Sequence, residues 1–284
     1  LLLIISLGYG ANNFQQNLHS FSSNRSIPQT LRLIGIMAEF PLENPDNPLT
    51  SGHGKFLNLN HELYNQFYNS DSLRCKGFLV DRPPHDSLYF LSQLKAVGNY
   101  YKNVSGGELL FTADIITNPN SPENGYYTVS DSMEYYAKAD TLLARFFTEV
   151  LDLAKIDIEN YFEEKSFTPD EVVFVVFHAG FSQDFSYLFL DPTVYDLKSA
   201  YIDETMMQNI VPVTIIQNGT PYDISTGVLL PETQNIIYFD VVEDIFYGSD
   251  DLCDIQIGLT GIFAFLLGYE LGLPPMFNND SISL

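Results

Sequence analysis

This 284-residue chain has five histidines, whose imidazole groups could bind zinc or move protons. None of the five lies after residue 178. His61 begins the sequence His-Glu-Leu-Tyr-Asn, which has Asn65 where a second zinc-binding histidine would have to stand. We interpret this as a chance match. His178 ends an apolar run, from which its ring could either reach a cleft or bond to a neighbouring backbone carbonyl.

Carboxylates supply two further kinds of candidate site. Asp184 and Glu270, with His178, are possible cleft residues, but two acids without an ordered partner define no mechanism. Closely spaced acids among turn residues also suit Ca²⁺, which binds carboxylate and carbonyl oxygens. Such acids occur in residues 43–47 and 247–254, neither of which has EF-hand spacing. Calcium is therefore a possible cofactor, with Asp46, Asp250, Asp251 and Asp254 as candidate ligands.

Other familiar site patterns are missing from the sequence. There is no Gly-rich phosphate loop, no Gly-x-Ser-x-Gly elbow and no Cys-x-x-Cys pair. The two cysteines, Cys75 and Cys253, could form one disulfide in an oxidising compartment or stay as buried thiols. Asn103-Val104-Ser105 is a glycosylation sequon only in a glycosylating host.

Composition limits the class of protein and its partners. Hydrophobic residues make up 45% of the chain, enough for one large globular domain or two modest ones. The 36 acidic and 13 basic residues give a formal charge of −23. This charge disfavours nucleic acid as a partner, since phosphate binding needs basic patches. It fits a solvated acidic surface or calcium binding.

The beginning of the chain predicts secretion. Residues 1–7 are Leu-Leu-Leu-Ile-Ile-Ser-Leu, followed by small residues, so residues 1–10 look like the remnant of a signal peptide. The alternative is a buried first strand. The run is too short to span a bilayer, and no transmembrane segment is predicted. Residues 11–29 form a polar segment, and we expect the protein to be secreted or on the cell surface.

Periodicity predicts the elements that must position these side chains. Continuous apolar runs indicate buried strands at residues 31–41, 108–116 and 171–180, and helical spacing indicates a helix over residues 87–105. A longer helix is predicted over residues 133–161, interrupted around Ile156. Residues 41–56, rich in Pro, Asn, Asp and Gly, are predicted to be a long surface loop. Further short strands are expected at residues 211–217 and 236–241.

A terminal helix is predicted over residues 258–273, ended by Gly272 and Pro274. Its apolar side chains could line a peptide-binding groove or belong to the core. They are Ile262, Phe263, Leu266, Leu267 and Leu273. Strands alternating with helices argue for an α/β or α+β fold with a mixed, twisted sheet.

Four blocks of the sequence together carry a family resemblance. They are IGIMAEFP at residues 34–41 with the SGHGKF loop after it, DRPPHDSLYFLSQLKAVGNYYKNVSGGEL at 81–109, VVFVVFHAGFSQDF at 172–185, and the terminal helix running into GLPPMFN. These blocks resemble secreted zinc metallopeptidases of the immune inhibitor A type. The resemblance implies a zincin-like metallopeptidase domain over residues 30–284 whose C-terminal part is missing.

In that family the terminal helix carries His-Glu-x-x-His, which binds zinc and activates its water. Aligned on the Gly-Leu-Pro sequence after the helix, Phe265 and Tyr269 occupy the two histidine positions, and Leu266 and Pro275 the Glu and later Asp positions. Phe and Leu carry no lone pair for zinc, and a Tyr phenol is a poor ligand at neutral pH. No catalytic residue and no zinc are therefore predicted.

Two functions from different classes follow from the resemblance. The first is a non-catalytic pseudopeptidase that serves as a binding or structural module, with a polypeptide or cell-surface partner. The alternative is an extracellular metallopeptidase whose ligands are unrecognised here or lie after residue 284. A groove beside an exposed strand edge would favour the binder, because such an edge can pair with an extended peptide.

Overall fold

The computed structural model describes residues 29–58, 80–81, 83–121, 125–165, 168–185, 193–234 and 258–273. These residues form a mixed α/β fold with a six-stranded, mostly parallel sheet and four helices. The strands are β1 (Thr30–Glu39), β2 (Leu110–Ile116), β3 (Tyr127–Thr128), β4 (Val172–His178), β5 (Ala200–Ile202), β6 (Val213–Gln217), β7 (Thr220–Ile224) and β8 (Gly227–Pro231). The helices are α1 (Ser87–Val104), α2 (Met133–Ala137), α3 (Asp140–Glu164) and α4 (Leu259–Glu270).

The main sheet has the order β2-β1-β4-β8-β5, and β3 pairs with the end of β1. All pairs are parallel except β5 with β8, which is antiparallel. Every residue of β4 and β8 is buried, as expected for central strands covered on both faces. Because β1, β4 and β8 are parallel, their carboxyl ends meet at the same end of the sheet. Parallel α/β folds place their sites at this end.

Helix α1 forms where the sequence predicts a helix. The side chain of Asp86 accepts hydrogen bonds from the backbone N–H groups of Leu88 and Tyr89, which caps the first turn. Its buried face includes Phe90 and Leu94. A Cβ added to Gly98 would lie 2.8 Å from the Cβ of Phe111, so the missing side chain allows α1 to approach β2 closely.

The predicted helix over residues 133–161 is divided at another place. The break falls at Lys138 and Ala139, between α2 and α3, and α3 continues without interruption through Ile156. Ile156 is 71% exposed, so it lies off the buried stripe of the helix rather than marking an end. The prediction of an interruption at Ile156 was wrong because an apolar side chain on the solvent face resembles a break in the periodicity.

The segment after β1 is less exposed than predicted. Residues 41–56 contain only a short 3₁₀ turn at Gly52–Gly54, but Thr50, Ser51 and Gly54 are buried. The prediction of a surface loop was therefore wrong for its second half. The strand predicted at residues 211–217 exists as β6, but it pairs with β7 in a separate two-stranded hairpin and not in the main sheet.

Sequence reasoning missed four strands, β3, β5, β7 and β8, of which all but β8 carry partly exposed or exposed residues.

None of the helices in the described part of the chain is both long enough and apolar enough to span a bilayer. Residues 1–28, the strand predicted at 236–241, and both cysteines lie outside the described residues.

Candidate functional site

Helix α4 is held at its N-terminus by a residue from far away in the chain. The carboxylate of Asp81 accepts hydrogen bonds from the backbone N–H of Leu259 at 2.7 Å and from Nε2 of Gln93 at 3.0 Å. Burial raises the pKa of Asp81. Further along the helix, the hydroxyl of Tyr101 donates to the carbonyl of Ala264 at 2.6 Å. Two contacts from the α1 side thus fix where α4 lies.

The two positions that the resemblance assigns to zinc-binding histidines lie on one face of α4. The rings of Phe265 and Tyr269 are 4.9 Å apart, and the ring of Tyr201 on β5 lies 6.2 Å from that of Tyr269. We call Tyr201, Phe265 and Tyr269 the aromatic cluster. The spacing needed for a two-histidine metal site is therefore present, but its side chains are aromatic rings.

None of these side chains suits a metal ion. Burial raises the pKa of Tyr269 to about 12, so its phenol stays protonated and cannot act as an anionic ligand at neutral pH. Leu266, at the position of the catalytic glutamate, is 1% exposed and belongs to the core. Pro275 lies outside the described residues. The residues present therefore do not fit zinc.

The other apolar residues of the terminal helix divide between core and surface. Phe263 and Leu267 are fully buried, Ile262 is partly buried, and Leu273 is 49% exposed. Most of these side chains therefore belong to the hydrophobic core, which was the alternative to a peptide-binding groove.

A second group of polar side chains lies at the carboxyl ends of β4 and β8. Glu232, directly after β8, is fully buried, and its Oε2 lies 2.7 Å from Nδ1 of the equally buried His85. The same carboxylate accepts the backbone N–H groups of Leu57 at 2.8 Å and Gly180 at 2.7 Å. We call His85 and Glu232 the buried pair. The buried pair connects the segments that follow β1, β4 and β8 to the start of α1.

The remaining partners of His85 also come from this region. Its Nε2 lies 2.8 Å from the backbone carbonyl of Asp81, and its ring stacks on that of Tyr89 with 4.4 Å between centroids. A carbonyl oxygen can only accept, so Nε2 carries a hydrogen. All groups around the pair are engaged by protein atoms, and this suits a structural junction rather than an exposed catalytic centre.

Two smaller buried networks lie nearby. The side chain of Asp196 accepts hydrogen bonds from both the backbone N–H and the hydroxyl of Ser51, at 2.7 and 2.9 Å. Asp184 accepts from the backbone N–H of Ser199 at 2.9 Å and from Nε2 of Gln234 at 2.7 Å. Burial raises the pKa of Asp184.

The predicted cleft residues are not brought together. His178 is fully buried, and its Nδ1 lies 2.9 Å from the carbonyl oxygen of Ala179, so it makes the backbone contact that was the alternative to a cleft position. Burial lowers the pKa of His178 to about 4. No hydrogen bond of His178 or Asp184 reaches the other or reaches Glu270, which is 9% exposed on α4.

Possible metal ligands are equally scattered. Oδ1 of Asp46 lies 3.1 Å from Nδ1 of His53, and no three His, Cys, Asp or Glu side chains of the described residues are grouped to hold a metal ion. His61, Asp250, Asp251 and Asp254 lie outside those residues.

Sequence reasoning missed the buried pair. Glu232 follows β8, a strand that was not predicted, and His85 stands between two prolines and the cap residue Asp86, in a segment read as turns. A histidine directly before a helix cap was the one available signal, and it does not name its partner 147 residues away.

No protein family, curated protein or solved structure matches the chain.

Proposed function

We propose that this chain is a secreted, metallopeptidase-like domain without hydrolytic activity that serves as a binding or structural module. The proposal depends on the sequence blocks that resemble secreted metallopeptidases and on the order of elements. The resemblance implies a mixed sheet with long helices and a terminal helix, and the described residues include a mixed sheet and the terminal helix α4.

The observation that carries the proposal is the aromatic cluster. Phe265 and Tyr269 share one face of α4, as two zinc-binding histidines would; they pack against each other, and Tyr269 also packs against Tyr201. Zinc needs nitrogen, thiolate or carboxylate donors, and hydrolysis needs a base at the position of Leu266. A leucine that is 1% exposed supplies none of these.

A polypeptide is the partner class that this surface favours. Phe265 is only partly buried and packs on Tyr269, whose ring lies 6.2 Å from that of Tyr201 on the antiparallel strand β5. Aromatic rings offer apolar contact area at a low cost in side-chain entropy, which suits peptide binding.

Calcium remains a second proposal for the acidic residues 247–254, and a calcium-dependent rise in melting temperature would test it.

Metal analysis combined with a protease assay tests the lack of activity. The purified chain is dialysed against trace zinc, its zinc content is measured, and casein cleavage is followed with and without a chelator. We expect no bound zinc and no cleavage. Stoichiometric zinc with chelator-sensitive cleavage would contradict the proposal and favour the metallopeptidase alternative.

A further inference from the structure

Among the described residues, strand β2 has one side on which no other strand pairs with its backbone groups. It lies at the end of the sheet order, and its pairing partner is β1. The backbone N–H of Leu110 donates to Gln29 on the β1 side. Because successive residues of a strand direct their N–H and C=O groups to opposite sides, those of Phe111, Ala113 and Ile115 point away from the sheet. No hydrogen bond within the described residues ends on these outward groups.

The residues of β2 itself also lack Lys and Pro, two devices that usually prevent edge strands from pairing with other chains. Exposed edges commonly carry Lys or Pro, or are covered. β2 has the sequence Leu-Phe-Thr-Ala-Asp-Ile-Ile, and its one charged residue, Asp114, is held by Arg32 at 3.2 Å and by the hydroxyl of Tyr161. Neither Lys nor Pro interrupts it.

In the hairpin of β6 and β7, by contrast, backbone groups at the strand edges are bonded or missing. The backbone N–H of Ile216 on β6 donates to the carboxylate of Glu159 at 2.9 Å, and β7 contains Pro221, which has no N–H to offer. The hairpin is thus capped on both of its strands. Within the described part of the chain, the unpaired outer side of β2 is therefore a feature that the hairpin does not share.

We propose that the outer edge of β2 binds an extended segment of another polypeptide, with alternating apolar residues and flanking lysines or arginines. Only an extended backbone offers N–H and C=O groups at the spacing of Phe111, Ala113 and Ile115. Alternate apolar side chains suit Leu110, which is 37% exposed, and the exposed Thr112. Basic residues are favoured because the chain carries 36 acidic and 13 basic residues, and the same excess of acid disfavours a second copy.

This site goes beyond the proposed function and does not depend on it. β2 and β5 are the two opposite ends of the sheet order, so the β2 edge is distant from the aromatic cluster in that order. A result for or against zinc binding and proteolysis therefore leaves the test of the β2 edge unchanged.

The test uses a short synthetic peptide of alternating valine and threonine with lysines at both ends. Amide exchange is followed by NMR in the free protein and with the peptide. We expect the N–H groups of Phe111, Ala113 and Ile115 to exchange rapidly in the free protein and at least about tenfold more slowly when the peptide is bound, as a paired strand requires.

Variants separate strand pairing from general adhesion. Thr112→Lys places a charge on the edge and should raise the dissociation constant at least about tenfold, whereas the matched exposed change Thr220→Lys on the hairpin should leave it unchanged. Ala113→Pro removes one outward N–H without removing a bond to β1, and it should weaken binding similarly if circular dichroism shows an intact fold.

Three results would overturn the proposal. Slow exchange of these amides in a free protein that sediments as a dimer would identify a second copy as the occupant. Slow exchange in a monomer would mean that the edge is covered within this chain. No slowing at millimolar peptide would mean that the edge does not accept a strand.

Discussion

Nδ1 of His85 and Oε2 of Glu232 lie 2.7 Å apart, and both side chains are completely buried. Glu232 also receives two backbone N–H groups, from Leu57 and Gly180. A carboxylate removed from water is stable only when its oxygens are engaged in this way. The pair therefore keeps the loop before residue 58, the entry to α1 and the ends of β4 and β8 in one arrangement.

Replacement of Glu232 by Gln should strongly destabilise the fold. The amide keeps one acceptor oxygen and turns its NH₂ group toward a backbone N–H or toward His85. Breaking one member of a buried pair typically costs about 3–5 kcal/mol. Urea unfolding should show this loss as a lower midpoint with an unchanged slope.

The exposed Glu163→Gln on α3 is the matched control for that substitution and should leave the midpoint nearly unchanged. A loss for Glu232→Gln as small as that of the control would mean that Leu57, Gly180 and His85 find other acceptors.

His178 should make the protein less stable in mild acid. Burial holds its folded pKa at about 4, against the usual 6.5, so the unfolded chain binds more protons between these values. Stability from this residue is present above about pH 6.5 and is lost as the pH falls toward 4, by about 3 kcal/mol in total. Unfolding free energies measured at several pH values would show the slope.

The comparison with His178→Asn isolates this contribution. Asp81 and Asp184 have pKa values raised by burial, so they change stability with pH in the opposite direction in both proteins. The stability advantage of the unsubstituted protein over the variant should shrink as the pH is lowered. A constant difference from pH 7 to 4 would contradict a buried neutral imidazole.

Asp81→Asn should loosen α4 without unfolding the sheet. Asp81 has a φ of 52°, a left-handed conformation that Asn also tolerates, so the substitution adds little backbone strain. It removes the negative charge at the helix N-terminus and one of its acceptor oxygens. Loss of such a cap costs about 1–2 kcal/mol.

Hydrogen exchange of the peptide covering residues 259–270 is the measurement for this variant. Faster exchange there, with β4 unchanged, is the expected pattern. Asp152→Asn, an exposed change on α3, is the control. Equal protection of α4 in both variants would show that contacts such as that of Tyr101 with Ala264 position the helix by themselves.

Two histidines should create metal affinity where the aromatic cluster now lies. In Phe265→His/Tyr269→His the imidazoles would replace rings that are 4.9 Å apart on one helix face. A pair of histidines one turn apart binds zinc or cobalt, so the variant should bind Co²⁺ at least about tenfold more tightly than the unsubstituted protein. Cobalt absorption spectra would measure it.

The control for this gain places the second histidine on another face of the helix. Ala264→His/Phe265→His has the same number of imidazoles, but neighbouring residues of a helix do not face each other. Equal cobalt affinity of the two variants would contradict the face-sharing geometry. Circular dichroism should confirm that both variants are folded, since Tyr269 is buried.

Local patterns in the sequence predicted those elements whose signal lies within a few neighbouring residues. The apolar runs before His178 and after Gln29 predicted β4 and β1, and the apolar residues at helical spacing over residues 87–105 predicted α1. Short strands such as β5 and β7 were missed because three to five partly exposed residues carry no distinct periodicity.

The sequence by itself determined that Phe265 and Leu266 carry no lone pair for zinc, that Tyr269 offers only a phenol, and that Leu266 cannot take a proton from water, because this follows from the chemistry of the side chains. It also determined the strong excess of acid and the mixed α/β class. Only the tertiary structure decided that His85 meets Glu232, that Asp81 caps α4, and that no described strand pairs with the outer side of β2. These relationships join residues far apart in the chain, and burial and strand order, which create them, have no local signal.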